Sequence, residues 1–171
     1  MQREGSKKAD LSTYRGDEVK LELVMNIIVT CSSPSRPSGN SNKSKDGIRE
    51  RNWEIVGGRF EGKNIKGTVI PGGGDFPVIR PDGITIIDAL YRLKTDDGEK
   101  IIIHNKGLWY EPTKEVPYKF RMIPEFTAPK GKYDWLNKSM FLSVLTKVPY
   151  SLSLAKSPGD NDRLIQVYSV N

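Results

Sequence analysis

The side chains in this sequence that could bind or react with a ligand are polar groups that need no cofactor. They are carboxylates, phenols, amides, guanidiniums and one indole: Arg49, Asp75, Asp88, Tyr91, Asn105, Arg121, Trp135 and Asn137. Side chains of these types orient an oxygenated small molecule by hydrogen bonds, and a desolvated carboxylate among them could also move protons. The set therefore predicts a ligand site or a cofactor-free acid–base site.

Nucleophilic and metal chemistry have less support. Cys31 and His104 are the single cysteine and the single histidine of the chain, and neither has partners at metal-ligand spacing. The Pro-Gly-Gly-Gly-Asp segment at residues 71–75 lacks the following Lys-Ser or Lys-Thr pair and the helix of a phosphate-binding loop. No metal site and no cofactor are predicted.

The elements that must position these side chains are β-strands. Short β-branched runs alternate with glycine-centred turns over residues 57–107, a pattern typical of consecutive antiparallel hairpins in a barrel or a sandwich. The predicted strands cover residues 19–31, 52–60, 65–70, 76–80, 85–95, 100–110, 118–126, 140–146 and 164–170. Gly57 and Gly58 indicate a bulge, residues 71–74 break or bend a strand, and residues 130–138 form the one predicted helical turn.

The Asp-Asp-Gly turn at residues 96–98 predicts which side chains face inward. A three-residue loop with glycine in the left-handed position aligns the apolar faces of both strands, whereas a two-residue turn opposes charged and apolar side chains. The predicted pairs are Leu93 with Ile101, Tyr91 with Ile103 and Ala89 with Asn105. Ile87 also points inward, and the side chains predicted to point outward are Asp88, Arg92, His104 and Lys106.

This register places the polar atoms of Tyr91 and Asn105 on an otherwise apolar face. A buried phenol or amide needs a hydrogen-bond partner, which can be another core group, a bound water or a ligand. Structural alternatives also stay open for other candidates. Asp75 could accept local amides in a turn, Arg121 could form a surface ion pair, and Trp135 could plug a barrel end.

The chain is interpreted as one all-β domain over residues 18–171, preceded by a mobile polar leader over residues 1–17. Residues 32–46 are rich in Ser, Pro, Asn, Gly and Lys and predict a long flexible loop, either a lid or an exposed insert. Sixteen glycines and eleven prolines interrupt the chain too often for long helices.

Composition and charge indicate a cytoplasmic protein. The net charge is +6, but lysines and arginines are scattered among acidic residues, which favours solubility over nucleic-acid binding. No apolar run approaches the ~20 residues that a membrane helix needs, and the first ten residues lack a secretory signal. Neither a membrane nor a nucleic acid is an expected partner.

An ordered set of residues resembles a known family of uncharacterised proteins, labelled domain of unknown function 3237, over about residues 47–170. The matching residues are Gly57, Gly58, Phe60, Gly62, Gly67, Val69, Pro71, Gly72, Gly73, Asp75, Asp82, Gly83, Asp88, Ala89, Tyr91, Thr95, Asp96, Asp97, Gly98, Asn105, Gly107, Phe120, Arg121, Trp135, Leu136 and Asn137. Phe76 stands where the family pattern has tryptophan, and Leu90 stands where it has arginine. The resemblance implies a closed antiparallel barrel of about eight strands, lipocalin-like in size, with at most one short helix.

Three functions stay open from the sequence. The first is binding of a small, partly apolar, oxygenated organic molecule in the barrel lumen, with Asp75, Tyr91, Asn105 and Trp135 as the leading contacts. The second is a cofactor-free isomerase, cyclase, lyase or hydrolase, in which Asp75 or Asp88 acts as base and Tyr91 stabilises an oxyanion with Asn105. The third is a structural or interaction module with a filled core, including a homodimer through sheet edges.

Overall fold

The computed structural model describes residues 8, 10–32, 47–115, 120–153 and 161–171, without the side chains of Arg49 and Asn161. The strands are β1 (Leu21–Cys31), β2 (Arg49–Glu50), β3 (Trp53–Gly62), β4 (Ile65–Asp75), β5 (Val78–Ile79), β6 (Thr85–Thr95), β7 (Lys100–Trp109), β8 (Phe120–Thr127), β9 (Met140–Thr146) and β10 (Asn161–Val170). Residues 1–7 and 9 of the predicted leader, residues 33–46 of the predicted loop and the predicted strand start at residues 118–119 lie outside the described residues.

Eight of these strands close into an antiparallel barrel. The order runs β6, β4, β3, β1, β10, β9, β8 and β7, and β7 pairs with β6 to complete the circle. The two-residue strands β5 and β2 extend the sheet from β6 at one end of the barrel. The predicted fold class, an all-β closed antiparallel barrel, is therefore confirmed.

The helical segments are short. Within the described part of the chain, 3-10 helices cover Asp134–Asn137, inside the predicted helical turn, and Tyr150–Leu152. None of the described helical segments has the length and apolar character needed to cross a membrane.

The register predicted for the hairpin of β6 and β7 is confirmed. Tyr91 pairs with Ile103 and Ala89 pairs with Asn105. The Thr95 amide donates to the Glu99 carbonyl over 2.9 Å, which closes the three-residue loop. The inward side chains of this hairpin are buried, whereas Arg92 and Lys106 on the outer face are exposed.

Two glycine-containing segments bend the strands around one end of the barrel. The pairing of β3 with β4 shifts register between Ile55 and Arg59, so the bulge predicted at Gly57 and Gly58 is present. The strand predicted to end at residue 70 continues to Asp75, and its pairing with β6 shifts between Ile70 and Gly74. The Pro-Gly-Gly-Gly segment thus bends β4 and does not break it.

The opposite end of the barrel is closed by aromatic packing. Leu136 of the first 3-10 helix is 1 % exposed, and the ring of Trp135 packs edge-on against Phe141 with 6.0 Å between centroids. Phe126 also packs edge-on against Phe141, with 5.0 Å between the ring centroids. This helix follows β8 and precedes β9, so the plug lies at the barrel end where β8 ends and β9 begins.

Candidate functional site

The barrel contains a cavity of about 390 Å³ at the end opposite the aromatic plug. Inward residues of all eight barrel strands line it, because alternate side chains of every strand face the lumen. The walls are mainly aliphatic, including Ile55, Ile87 and Ile165. Trp109 ends β7 and Phe120 begins β8, and their rings lie 6.4 Å apart beside the opening.

Tyr91 supplies a polar atom to this apolar cavity. The side chain is 2 % exposed, and its hydroxyl has no hydrogen-bond partner among the described residues. Burial raises the pKa of the phenol, and the nearby Cys31 and Asp75 add to the shift, so the group stays neutral. A neutral phenol both donates and accepts a hydrogen bond, which leaves Tyr91 ready for a partner inside the cavity.

The glycine segment of β4 packs directly against Tyr91. A Cβ added to Gly73 would lie 2.5 Å from the Tyr91 Cβ and 2.7 Å from the Leu90 carbonyl oxygen. Only a residue without a side chain allows the two backbones to approach this closely. The bend therefore holds the end of β4, with Asp75, beside the same cavity.

Asp75 is the carboxylate of the cavity. Its Oδ1 accepts a hydrogen bond from the Asp88 amide over 3.2 Å. Its pKa is raised from 3.8 to about 6, chiefly by burial. The charge of Asp88 contributes to the rise, and the Asp88 amide and the Arg163 guanidinium oppose it. Asp75 is thus placed to exchange a proton close to neutral pH.

Other cavity residues were not among the predicted site residues, and they include Cys31, Arg51, Trp53 and Arg163. Cys31 is buried, and burial raises its pKa to about 11, so it is a thiol at neutral pH. Arg163 lies with its guanidinium carbon 5.2 Å from the centroid of the Trp53 ring. The alternation of inward and outward residues could have identified Arg163, because it lies two residues before the inward Ile165. The predicted strand began at residue 164 and therefore excluded it.

Asn105 has internal partners in the core. Its amide oxygen accepts a hydrogen bond from the Ser143 hydroxyl over 3.1 Å, and its amide nitrogen donates to the Met122 sulfur over 3.5 Å. Asn105 does not line the cavity, although Met122 does. Its contacts in this structure are with the protein interior.

The other candidates lie away from the cavity. Trp135 belongs to the plug, and Asn137 bonds both backbone groups of Ala128. Asp88 is on the outer face with its Oδ1 2.6 Å from His104 Nε2, and Arg121 on that face donates to the Phe120 carbonyl. The Arg49 side chain lies outside the described residues. Of the eight candidates, the cavity brings together the side chains of Asp75 and Tyr91.

The hydrogen bond between Ser143 and Asn105 predicts a stability effect. Ser143→Ala removes the donor and leaves the buried Asn105 oxygen unsatisfied, so we expect a loss of about 1–3 kcal/mol in the free energy of unfolding. The double variant Ser143→Ala with Asn105→Leu removes both polar groups and should recover part of that loss. Urea denaturation of wild type, Ser143→Ala, Asn105→Leu and the double variant measures the coupling, and additive losses would contradict a direct interaction.

Comparison with known proteins gives the family. A family model described as "Protein of unknown function (DUF3237)" matches residues 19–151. A UPF0311 protein of Clostridium acetobutylicum is 30% identical over 151 residues, covering 80% of this chain and 92% of the relative. A UPF0311 protein of Rhodopseudomonas palustris is 32% identical over 100 residues, covering 52% and 65% of the two chains.

Solved structures share the barrel. A crystal structure of a protein of unknown function from C. acetobutylicum has a TM-score of 0.71 at 28% identity, covering 89% of this chain and 99% of that one. A β-barrel-like protein from Acinetobacter baumannii has a TM-score of 0.73 at 25% identity, with 93% and 100% covered. A structure described as an enzyme from Penicillium herquei has a TM-score of 0.65 at 20% identity, with 92% and 98% covered, which shows a shared fold alone. With the family match spanning most of the barrel, this chain belongs to the DUF3237 family of proteins of unknown function.

Proposed function

We propose that the barrel binds one small, partly apolar, oxygen-bearing organic molecule in its cavity. The observation that carries the proposal is the Tyr91 hydroxyl, which is buried in the cavity wall without a partner among the described residues. A buried hydroxyl without a hydrogen bond costs about 1–3 kcal/mol, and a ligand oxygen or N–H group at this point removes the cost.

The size and lining of the cavity support the same proposal. A volume of about 390 Å³ lies within the range of small-molecule sites, which are mostly apolar with few well-placed polar groups. The aliphatic walls would hold the apolar body of the ligand, and Tyr91 with Asp75 would orient its oxygen. A module with a filled core, the structural alternative, predicts no such cavity, so the cavity weighs against it.

Native mass spectrometry of protein purified from its own host tests the proposal. We expect a mass increment from a bound small molecule in the wild-type protein and roughly tenfold weaker retention in Tyr91→Phe, because one buried hydrogen bond is lost. Tyr168→Phe, on the outer face of β10, is the matched control and should retain the increment. Equal retention in both variants would remove Tyr91 from the site.

A second candidate function is cofactor-free acid–base catalysis in the same cavity. The observation that favours it is the pKa of Asp75, which burial raises to about 6. The Asp75 carboxylate would accept a proton from carbon next to a ligand carbonyl, and the electron pair would move to the carbonyl oxygen. The neutral Tyr91 hydroxyl would donate a hydrogen bond to that developing enolate oxygen.

Solvent deuterium exchange separates catalysis from binding alone. If Asp75 acts as base, the co-purified molecule incubated in heavy water should gain deuterium with wild-type protein and should not gain it with Asp75→Asn. Incorporation that is independent of Asp75, or that equals the rate without protein, would leave binding as the function of the cavity.

A further inference from the structure

Two arginines line the cavity at its open end. Arg51 precedes β3, and its amide donates to the Pro77 carbonyl over 3.2 Å, which fixes its backbone at the rim. Arg163 lies near the start of β10 and also lines the cavity. Because β3 and β10 both run antiparallel to β1, the residues at their starts lie at the same end of the lumen.

Neither arginine forms a salt bridge with an acidic side chain in the described ranges of the chain, although Arg163 is close enough to Asp75 to lower the pKa of that carboxyl. The salt bridges of those ranges involve other cations, and the Arg163 side chain donates only to the Asp162 backbone oxygen, over 3.2 Å. Its guanidinium also rests on the Trp53 ring, a contact that orients the group and leaves its N–H edge available.

The charges around the cavity therefore do not balance. Arginine stays protonated at all ordinary pH values, so Arg51 and Arg163 contribute two positive charges. Among the described residues, Asp75 is the one carboxylate in the lining, and Cys31 and Tyr91 are uncharged at neutral pH. Low-dielectric walls strengthen the resulting positive potential, which attracts an anion.

We propose that the ligand of this cavity is an organic acid whose anionic group binds Arg51 and Arg163 at the opening. This inference rests on the proposed function and adds the ligand's charge and orientation. The anion lies at the opening because Arg51 and Arg163 line the cavity there. The apolar body then extends past Trp109 and Phe120, and an uncharged oxygen or N–H group meets the Tyr91 hydroxyl.

A pair of fluorescent probes with one aromatic body tests the ligand's charge. Anilinonaphthalene sulfonate carries an anionic group, and N-phenyl naphthylamine has the same ring system without it. At neutral pH and low salt, we expect wild-type protein to bind the sulfonate at least about tenfold more tightly, since charge-assisted hydrogen bonds to arginine are strong. Added salt should reduce that preference.

Arginine variants test whether Arg51 and Arg163 cause the preference for the sulfonate. Arg163→Gln and Arg51→Gln should each weaken sulfonate binding about tenfold and leave binding of the neutral probe within about twofold. Arg92→Gln removes one positive charge from the outer face of β6 and should change the dissociation constant of neither probe. Ala89→Leu, which fills part of the cavity, should weaken both probes and thereby show that they bind inside the barrel.

The outcomes separate the two proposals. Equal affinity of wild-type protein for both probes, with both lost in Ala89→Leu, would overturn the organic-acid inference and leave a lumen ligand standing. Sulfonate preference that survives in both Arg51→Gln and Arg163→Gln would overturn it as well. Failure of both probes to bind wild-type protein would count against the proposed function itself.

Discussion

Asp75→Asn is expected to stabilise the protein at neutral pH by up to about 3 kcal/mol. Burial raises the pKa of Asp75 from 3.8 to about 6, and each unit of such a difference corresponds to about 1.4 kcal/mol between the two protonation states. At neutral pH the native protein must keep a carboxylate in a desolvated place, whereas the unfolded chain keeps it in water. Asparagine carries no charge, and its side-chain oxygen still accepts the hydrogen bond from the Asp88 amide.

The pH dependence of this difference follows from proton linkage. Between the ordinary pKa of 3.8 and the raised pKa of about 6, the native state binds more protons at Asp75 than the unfolded state does. The contribution of Asp75 to the free energy of unfolding therefore falls as pH rises through that window. At a pH below both values the carboxyl is protonated in both states, and the advantage of Asp75→Asn should vanish.

Urea denaturation of wild type and variant at neutral pH and at about pH 3 measures the difference, because other carboxyl groups contribute equally to both proteins. Asp17→Asn, at an exposed position outside the barrel strands, is the matched control and should give no pH-dependent gain. If the variant is less stable than wild type at neutral pH, Asp75 is not a desolvated carboxylate. The same conclusion follows if the variant's free energy of unfolding differs from that of wild type by the same amount at both pH values.

Such a carboxylate has a functional meaning. A residue that lowers stability at working pH is retained where its charge or its proton is used, and strongly perturbed pKa values concentrate at functional sites. Asp75 combines this perturbation with a place in the same cavity as the Tyr91 hydroxyl, which has no hydrogen-bond partner among the described residues. These two residues therefore form the centre of the candidate site.

The hairpin of β6 and β7 was predictable because its information is local. The loop glycine and the period-two alternation of apolar residues specify the pairing of Tyr91 with Ile103, and hence which side chains enter the lumen. The glycines before Asp75 predicted a break or a bend in the strand, and the structure has a bend there. The inner and outer faces of one hairpin thus follow from a short stretch of sequence.

The composition of the site was less predictable, because it depends on height along the barrel and on distant pairings. Asn105 was expected inside the lumen, and it is inside, but its amide bonds Ser143 on β9 and Met122 on β8 and does not line the cavity. Arg163 and Trp53 meet through β10 and β3, which both pair with β1. Strand stagger around the barrel sets these heights, and no local pattern encodes it.

Gly58→Ala is expected to destabilise the barrel by about 3 kcal/mol or more, because it adds a clash to backbone strain. Gly58 has φ +141°, and a Cβ at this position would lie 2.0 Å from the Ile28 carbonyl oxygen on β1. The clash involves backbone on both sides, so relief requires β3 to move away from β1. That movement would also displace Trp53 and Ile55, which line the cavity on the same strand.

Gly57→Ala is the matched control for this prediction. Gly57 has a similar φ of +157°, but a Cβ there meets no heavy atom within 4 Å. This variant retains the backbone strain without the clash and should lose only about 1–2 kcal/mol. Urea midpoints of the two variants, with binding of the neutral naphthylamine probe as a second readout, measure the difference. Equal losses in stability and binding would mean that close approach of β3 to β1 at Gly58 does not hold the cavity wall in place.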